Sequence, residues 1–211
     1  MDRTRVYMSI WAAGLVLAAG AGGCHKVHQC PYLQGMTGWN IPSPLPPEGQ
    51  TYKVVGYREG IRFYVIQYNE KMYRAGDIRS AQGAEALQQL GIKTVISASP
   101  NKNQRAWAEQ CGMKFVEIPF GWYDMTSDDL HKFLQVVDAS PKPICVCSRS
   151  GMLRAGILLA HYRIHREGWD VEAALEEYYK LDANYGESKK LVKVLRENAP
   201  PEGNDAAQNV P

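Results

Sequence analysis

Strands alternating with helices along most of this chain predict an α/β fold with a central, mostly parallel sheet flanked by helices. Two observations carry that expectation. Short β-branched or apolar runs at Lys93–Ser97, Lys114–Ile118 and Ile144–Cys147 are interleaved with amphipathic segments of helical period. The 211 residues, 45% hydrophobic and 22% charged, leave one domain of about 140 to 150 residues once an N-terminal segment is subtracted.

Taken in order, Tyr52–Tyr57 and Ile61–Tyr68 read as strands around Arg58-Glu59-Gly60, with Met72–Arg74 as a third. Ser80 is placed to cap a helix through Leu87 and Leu90 that Gly91 closes. Lys93–Ser97 is a strand, Lys102–Cys111 a helix and Lys114–Ile118 another strand. Thr126-x-x-Asp129 is spaced as a near capping box and opens a helix through Leu130, Phe133, Leu134 and Val137. A buried strand at Ile144–Cys147 leads to a helix from Arg154 to His165. Asp170 caps a helix with Val171, Ala174, Leu175 and Tyr178 on one face, and a last helix runs from about Glu187 to Asn198.

The N-terminus speaks to location. Arg3 and Arg5 precede the apolar run Val6–Ala19, and Gly20–Gly23 lead into Cys24. A basic start, a short apolar core and a small-residue exit describe a secretory signal, too short for a comfortable membrane span. Small residues directly before a cysteine resemble a bacterial lipoprotein signal, which implies that Cys24 is lipidated; Ala21 departs from that pattern, which usually has Leu there. Residues 1–23 are thus expected to be a signal peptide and 24–50 a tether stiffened by Pro42, Pro44, Pro46 and Pro47. The domain is expected over 51–198 and a disordered tail over 199–211. The expected location is the cell envelope, lipid-anchored to a membrane, with a secreted or periplasmic protein as the alternative.

That compartment permits disulfides among Cys30, Cys111, Cys145 and Cys147, and the sequence assigns no pairing. Cys145 and Cys147 point the same way from one strand, so a bridge between them is strained, and Cys111 and Cys145 read as small buried hydrophobes. A net charge of +2 gives no reason to expect nucleic acid as a partner.

The candidate chemistry lies at Ser148-Arg149-Ser150-Gly151-Met152-Leu153-Arg154. A buried strand breaks there into a polar loop, and a helix begins at its end. That order presents backbone N–H groups to an anion with the helix dipole behind them. Arg154 adds a planar fork suited to two phosphate oxygens.

This layout resembles the phosphate loop of the cysteine-dependent tyrosine and dual-specificity phosphatases, His-Cys-x-x-Gly-x-x-Arg-Ser/Thr. Gly151 and Arg154 match, whereas Ser148 stands at the nucleophilic cysteine, Cys147 at the histidine and Ala155 at the hydroxyl residue. Met72–Asp77, Leu90–Ser97, Gly112–Pro119 and Gly168–Leu175 are similar to bacterial members of the family, so about residues 60 to 198 are covered. The resemblance implies a phosphorylated protein or small phosphoester as ligand and no cofactor. It implies roles for Ser148 at the nucleophile position, Arg154 in gripping phosphate, and Asp124 as candidate general acid.

A serine hydroxyl stays protonated where a thiol would ionise, and no base adjoins it in sequence. Strand alternation turns Cys147 to the opposite face, so it is not expected to substitute. The leading expectation is therefore an impaired pseudo-phosphatase that binds phosphate. The alternatives are a slow phosphatase and a non-catalytic protein-interaction scaffold. His25-x-x-His28-x-Cys30 and the His161/His165 pair have donors at metal-like spacing but lack the rest of a metal motif, and no metal is expected.

Overall fold

The computed structural model describes residues 49–121, 124–182 and 189–201. Among these, six strands form one sheet: β1 (Lys53–Tyr57), β2 (Tyr64–Gln67), β3 (Met72–Ala75), β4 (Thr94–Ser97), β5 (Lys114–Glu117) and β6 (Ile144–Cys147). The helices are α1 (Ala81–Gln89), α2 (Gln104–Gln110), α3 (Ser127–Asp138), α4 (Leu153–Glu167), α5 (Val171–Asp182) and α6 (Lys189–Glu197).

The strand order is β1-β2-β3-β6-β4-β5. The β1–β2 and β2–β3 pairings are antiparallel, whereas β3–β6, β6–β4 and β4–β5 are parallel. The sheet is mixed and mostly parallel, as predicted. Buried on both faces, β6 can be apolar at every position. Ile144 and Val146 face a core shared with Phe133, Leu158 and Leu175, while Cys145 and Cys147 face one shared with Ile78, Leu87 and Ala108.

The differences from expectation have local causes. The strand expected over Ile61–Tyr68 is regular only from Tyr64, because Phe63 turns to φ 60 and Ile61 makes an isolated bridge with Ile78. Ser80 occupies the N-cap of α1 but makes no side-chain capping bond. Thr126 and Asp129 form the complete reciprocal box at α3. The Asp170 carboxylate accepts the N–H groups of Glu172 and Ala173. Helix α2 is shorter than expected, and α4 is longer at both ends, stopping at Gly168 in the left-handed region at φ 69.

One ion pair lies deep inside. Arg163, 4% exposed, donates from Nε and Nη2 to the two carboxylate oxygens of Glu177 at 3.0 and 3.1 Å. Nη2 also donates to the Thr51 carbonyl at 2.6 Å, and the Thr51 hydroxyl donates to Glu177. The rings of Trp169 and Tyr68 flank the guanidinium at 4.3 and 4.9 Å.

Candidate functional site

Cys147 is in register with Ala75 of β3 on one side and Ser97 of β4 on the other. Residues 148–152 therefore leave the sheet outside the carboxyl ends of three parallel strands, where open α/β sheets form their crevice. The Ser148 N–H reaches the Ala75 carbonyl at 3.4 Å, and the Ala98 N–H donates to the Cys147 carbonyl at 2.8 Å. The Gly151 N–H then closes a turn onto the Ser148 carbonyl at 3.1 Å.

Gly151 has φ +76, and a β-carbon there would lie 2.5 Å from the Ala75 carbonyl and the Gly76 nitrogen. Conformation and space both demand glycine. Helix α4 begins two residues later, with Met152 as an N-cap that has no side-chain capping bond and no acidic residue in the first turn. The Met152 and Ala155 N–H groups donate to the Ser150 and Ser148 hydroxyls at 3.3 and 3.4 Å, and the positive end of the helix dipole at this start favours an anion. Met152 and Leu153 turn their side chains into the core, so they line the cradle with backbone alone.

Arg154 is half-buried. Its Nη1 donates to the carbonyls of Ala98 at 3.4 Å and Phe120 at 3.1 Å, which hold the side chain across the ends of β4 and β5. Burial, then the neighbouring Arg149 charge, push its pKa below the ordinary range, while Asp124 opposes them. No carboxylate is hydrogen-bonded to it among the described residues, so it is a cation placed without a paired anion.

Ser148 is buried, with 2% exposed, and its Oγ accepts the Ala155 N–H at 3.4 Å. Among the described residues no carboxylate or imidazole is hydrogen-bonded to that hydroxyl, so nothing is placed to activate it. Cys147 is fully buried on the opposite face, its Sγ 3.6 Å from that of Cys145. Asp124 is exposed and accepts the Gly121 N–H. It acts electrostatically on Arg154 and makes no hydrogen bond to the loop among the described residues.

Sequence reasoning gave no role to Asp77, Arg79 and Arg62. Asp77 lies 8% exposed just beyond the β3 end on which Gly151 rests, and its Oδ1 accepts Arg79 Nε at 3.2 Å. Burial pushes its carboxyl up in pKa, against the opposing charges of Arg79, Arg62 and Arg149. The spacing Asp77-x-Arg79 was the visible signal, but only β3–β6 pairing brings it to the loop.

Cys24, His25, His28 and Cys30 lie outside the described residues. The rings of His161 and His165 are 4.2 Å apart, and neither ring nitrogen of the buried His161 has a hydrogen-bond partner. Among the described residues no cluster of three or more His, Cys, Asp or Glu is placed to hold a metal ion.

Residues 61–194 match the family model described as "DSP-PTPase phosphatase fused to NAD+ Kinase". The dual specificity protein phosphatase TpbA of Pseudomonas aeruginosa is 32% identical over 108 residues, 50% of this chain and 49% of that protein. The chain thus spans about half the length of the TpbA relatives it matches. The crystal structure of TpbA superposes with a TM-score of 0.55 at 26% identity, covering 63% of this chain and 83% of that one. A cysteine-to-serine variant of TpbA in complex with phosphotyrosine gives 0.50 at 25%, covering 63% and 90%. The match over residues 61–194, together with a strand, loop and helix at the carboxyl ends of parallel strands, shows that this chain belongs to the dual-specificity and protein-tyrosine phosphatase family.

Proposed function

We propose that this domain is a pseudo-phosphatase that holds a phosphoryl group in the 148–154 loop without turning it over. The observation that carries this reading is Ser148: a buried hydroxyl at the nucleophile position that accepts the Ala155 N–H. Arg154, held by two carbonyls, and the positive end of the α4 dipole supply the binding half of the chemistry. The phosphotyrosine complex of the cysteine-to-serine TpbA variant supports the idea that such a variant retains its ligand. The basic and apolar N-terminal pattern ending at Cys24 supports an envelope location with a lipid anchor.

The test pairs hydrolysis of an aryl phosphate with thermal unfolding in inorganic phosphate. The expected result is no turnover by the wild-type chain, together with a phosphate-dependent rise in Tm that Arg154→Ala abolishes. Turnover that disappears in Arg154→Ala would sink the pseudo-phosphatase reading. Neither turnover nor protection would leave the loop without a ligand and sink the binding half as well.

A further inference from the structure

The carboxyl ends of the strands hold the 148–154 loop, and the amino ends carry a different pattern. Every strand that begins at that end of the sheet has a lysine within two residues of its start: Lys53 at β1, Lys71 at β3, Lys142 at β6, Lys93 at β4 and Lys114 at β5. Lys114 is in line with Thr94, Ile144 and Met72, and Lys53 stands one residue further in, through Gln67 and Tyr73. All five lysines are exposed. At a strand spacing of ~4.8 Å the row runs roughly 24 Å across the rim. Lys142 Nζ donates to the Val137 and Ser140 carbonyls at 2.9 and 3.3 Å, and Lys114 Nζ to the Ser140 hydroxyl at 3.1 Å, so these two ammonium groups meet just past the end of α3. Among the described residues the side chains of Lys53, Lys71 and Lys93 make no hydrogen bond, and none of the five is in an ion pair. The carboxylates of the helix ends on this side are engaged: Asp138 by Arg166, Glu167 by Arg163, Glu109 by Arg105, Glu172 by Arg196 and Asp170 by the first N–H groups of α5. Glu70, beside Lys71, is exposed. The overall charge of +2 is therefore spread unevenly, with cations gathered along one edge.

We propose that this lysine rim docks on an anionic phospholipid bilayer, which turns the 148–154 loop away from the lipid. The proposal rests on the envelope location above and not on the phosphate-binding reading. Charge complementarity carries its first half, because clustered lysines beside a membrane attract anionic headgroups. The path of the chain carries the second. The chain enters the sheet at Lys53, at this same end, and residues 25–52 reach at most about 100 Å from Cys24. A lipid at Cys24 thus delivers the rim to the bilayer at high local concentration, so that a weak attraction suffices. A nucleic acid or an acidic protein would match the charge equally well, but the chain brings neither of them to this end of the sheet.

The experiment is co-sedimentation of the full chain with vesicles of phosphatidylcholine alone and of phosphatidylcholine mixed with phosphatidylglycerol. Binding to the neutral vesicles reads the anchor, and the ratio of anionic to neutral partitioning reads the rim. That ratio is expected to exceed about 100-fold at low ionic strength and to fall toward one in about 1 M salt. Lys71→Gln and Lys93→Gln should each lower it roughly fivefold, and both together with Lys53→Gln should bring it near one. None of these three side chains is bonded within the fold, so the variants keep their structure. Lys102→Gln, exposed beyond the carboxyl end of β4, should leave the ratio unchanged. A wild-type ratio near one, or a ratio that Lys102→Gln lowers as much as Lys93→Gln does, overturns the rim and leaves the anchor standing. Binding to anionic vesicles with none to neutral ones supports the rim and overturns the anchor as the device that delivers it. Duplex DNA or polyglutamate that strips the chain from anionic vesicles at matched charge overturns the assignment to lipid.

Discussion

The Ala155 N–H donates to the Ser148 hydroxyl oxygen at 3.4 Å, so a helix-start amide is aimed at the side chain buried at the end of β6. The surroundings that would stabilise an anion at residue 148 are present in the backbone. What is missing is a side chain acidic enough to become that anion.

Ser148→Cys is therefore expected to gain activity. A thiol beside a helix start and Arg154 would ionise near neutral pH, where a serine hydroxyl does not. Loss of a catalytic nucleophile costs on the order of 10⁶ in turnover elsewhere. Recovery here should be partial, because Cys147 and Ala155 also depart from the family pattern. Aryl phosphate hydrolysis rising at least ~10²-fold over wild type, and falling again with Asp124→Ala, would bear out both the loop and the acid. A Ser148→Cys variant as silent as wild type would show that the cradle itself is not competent.

Thr126→Ala should destabilise the domain by about 1 kcal/mol, since it removes the oxygen that satisfies the Asp129 N–H and frees the reciprocal carboxylate. For a domain of this size that is a fall in Tm of roughly 2–4 °C. Ser80→Ala should be nearly neutral by the same scan, because Ser80 makes no capping bond.

His161 predicts a specific acid sensitivity. Burial, then the charges of His165, His131 and Arg166, push its pKa from 6.5 down to about 3. The unfolded chain then takes up a proton that the native state refuses. This contribution to stability is present in full above pH 6.5 and is lost as the pH falls toward about 3. Urea unfolding of His161→Leu should show a shallower loss than wild type across that interval, the gap reaching a few kcal/mol at most. Parallel curves would mean that the imidazole is not held neutral.

Glu177→Gln should cost about 3–5 kcal/mol in urea unfolding, because it leaves the buried Arg163 charge with only the more exposed Glu167 as counter-charge. A loss under ~1 kcal/mol would mean that Glu167 alone suffices as the counter-charge.

The fold was legible where period and punctuation were strong. The β6 strand, the Thr126–Asp129 box, the Asp170 cap and the alternation of strands and helices all stand where local chemistry puts them. Ile61–Phe63 misled because Phe63 takes φ 60 and the residues before it bond to Asp77 and Ile78 beyond β3, a non-local pairing that no residue there signals. At the site, Gly151 and Arg154 were legible because a φ of +76 and a fork donor each demand one residue type. The Asp77 and Arg79 pair was not, because strand order decides which loops become neighbours, and β3 meets β6 across some seventy residues of chain.

The double hold on Thr51 gives the molecule a direction for mechanical load. Its hydroxyl and its carbonyl are fastened to the Glu177–Arg163 pair, so tension arriving from the chain upstream is passed to α4 and α5. It need not first peel β1, the edge strand, from the sheet. Because α4 begins where the 148–152 loop ends, a pull that tilted this helix would be felt at Arg154, and the domain would resist it at a deeply packed helix rather than at its margin.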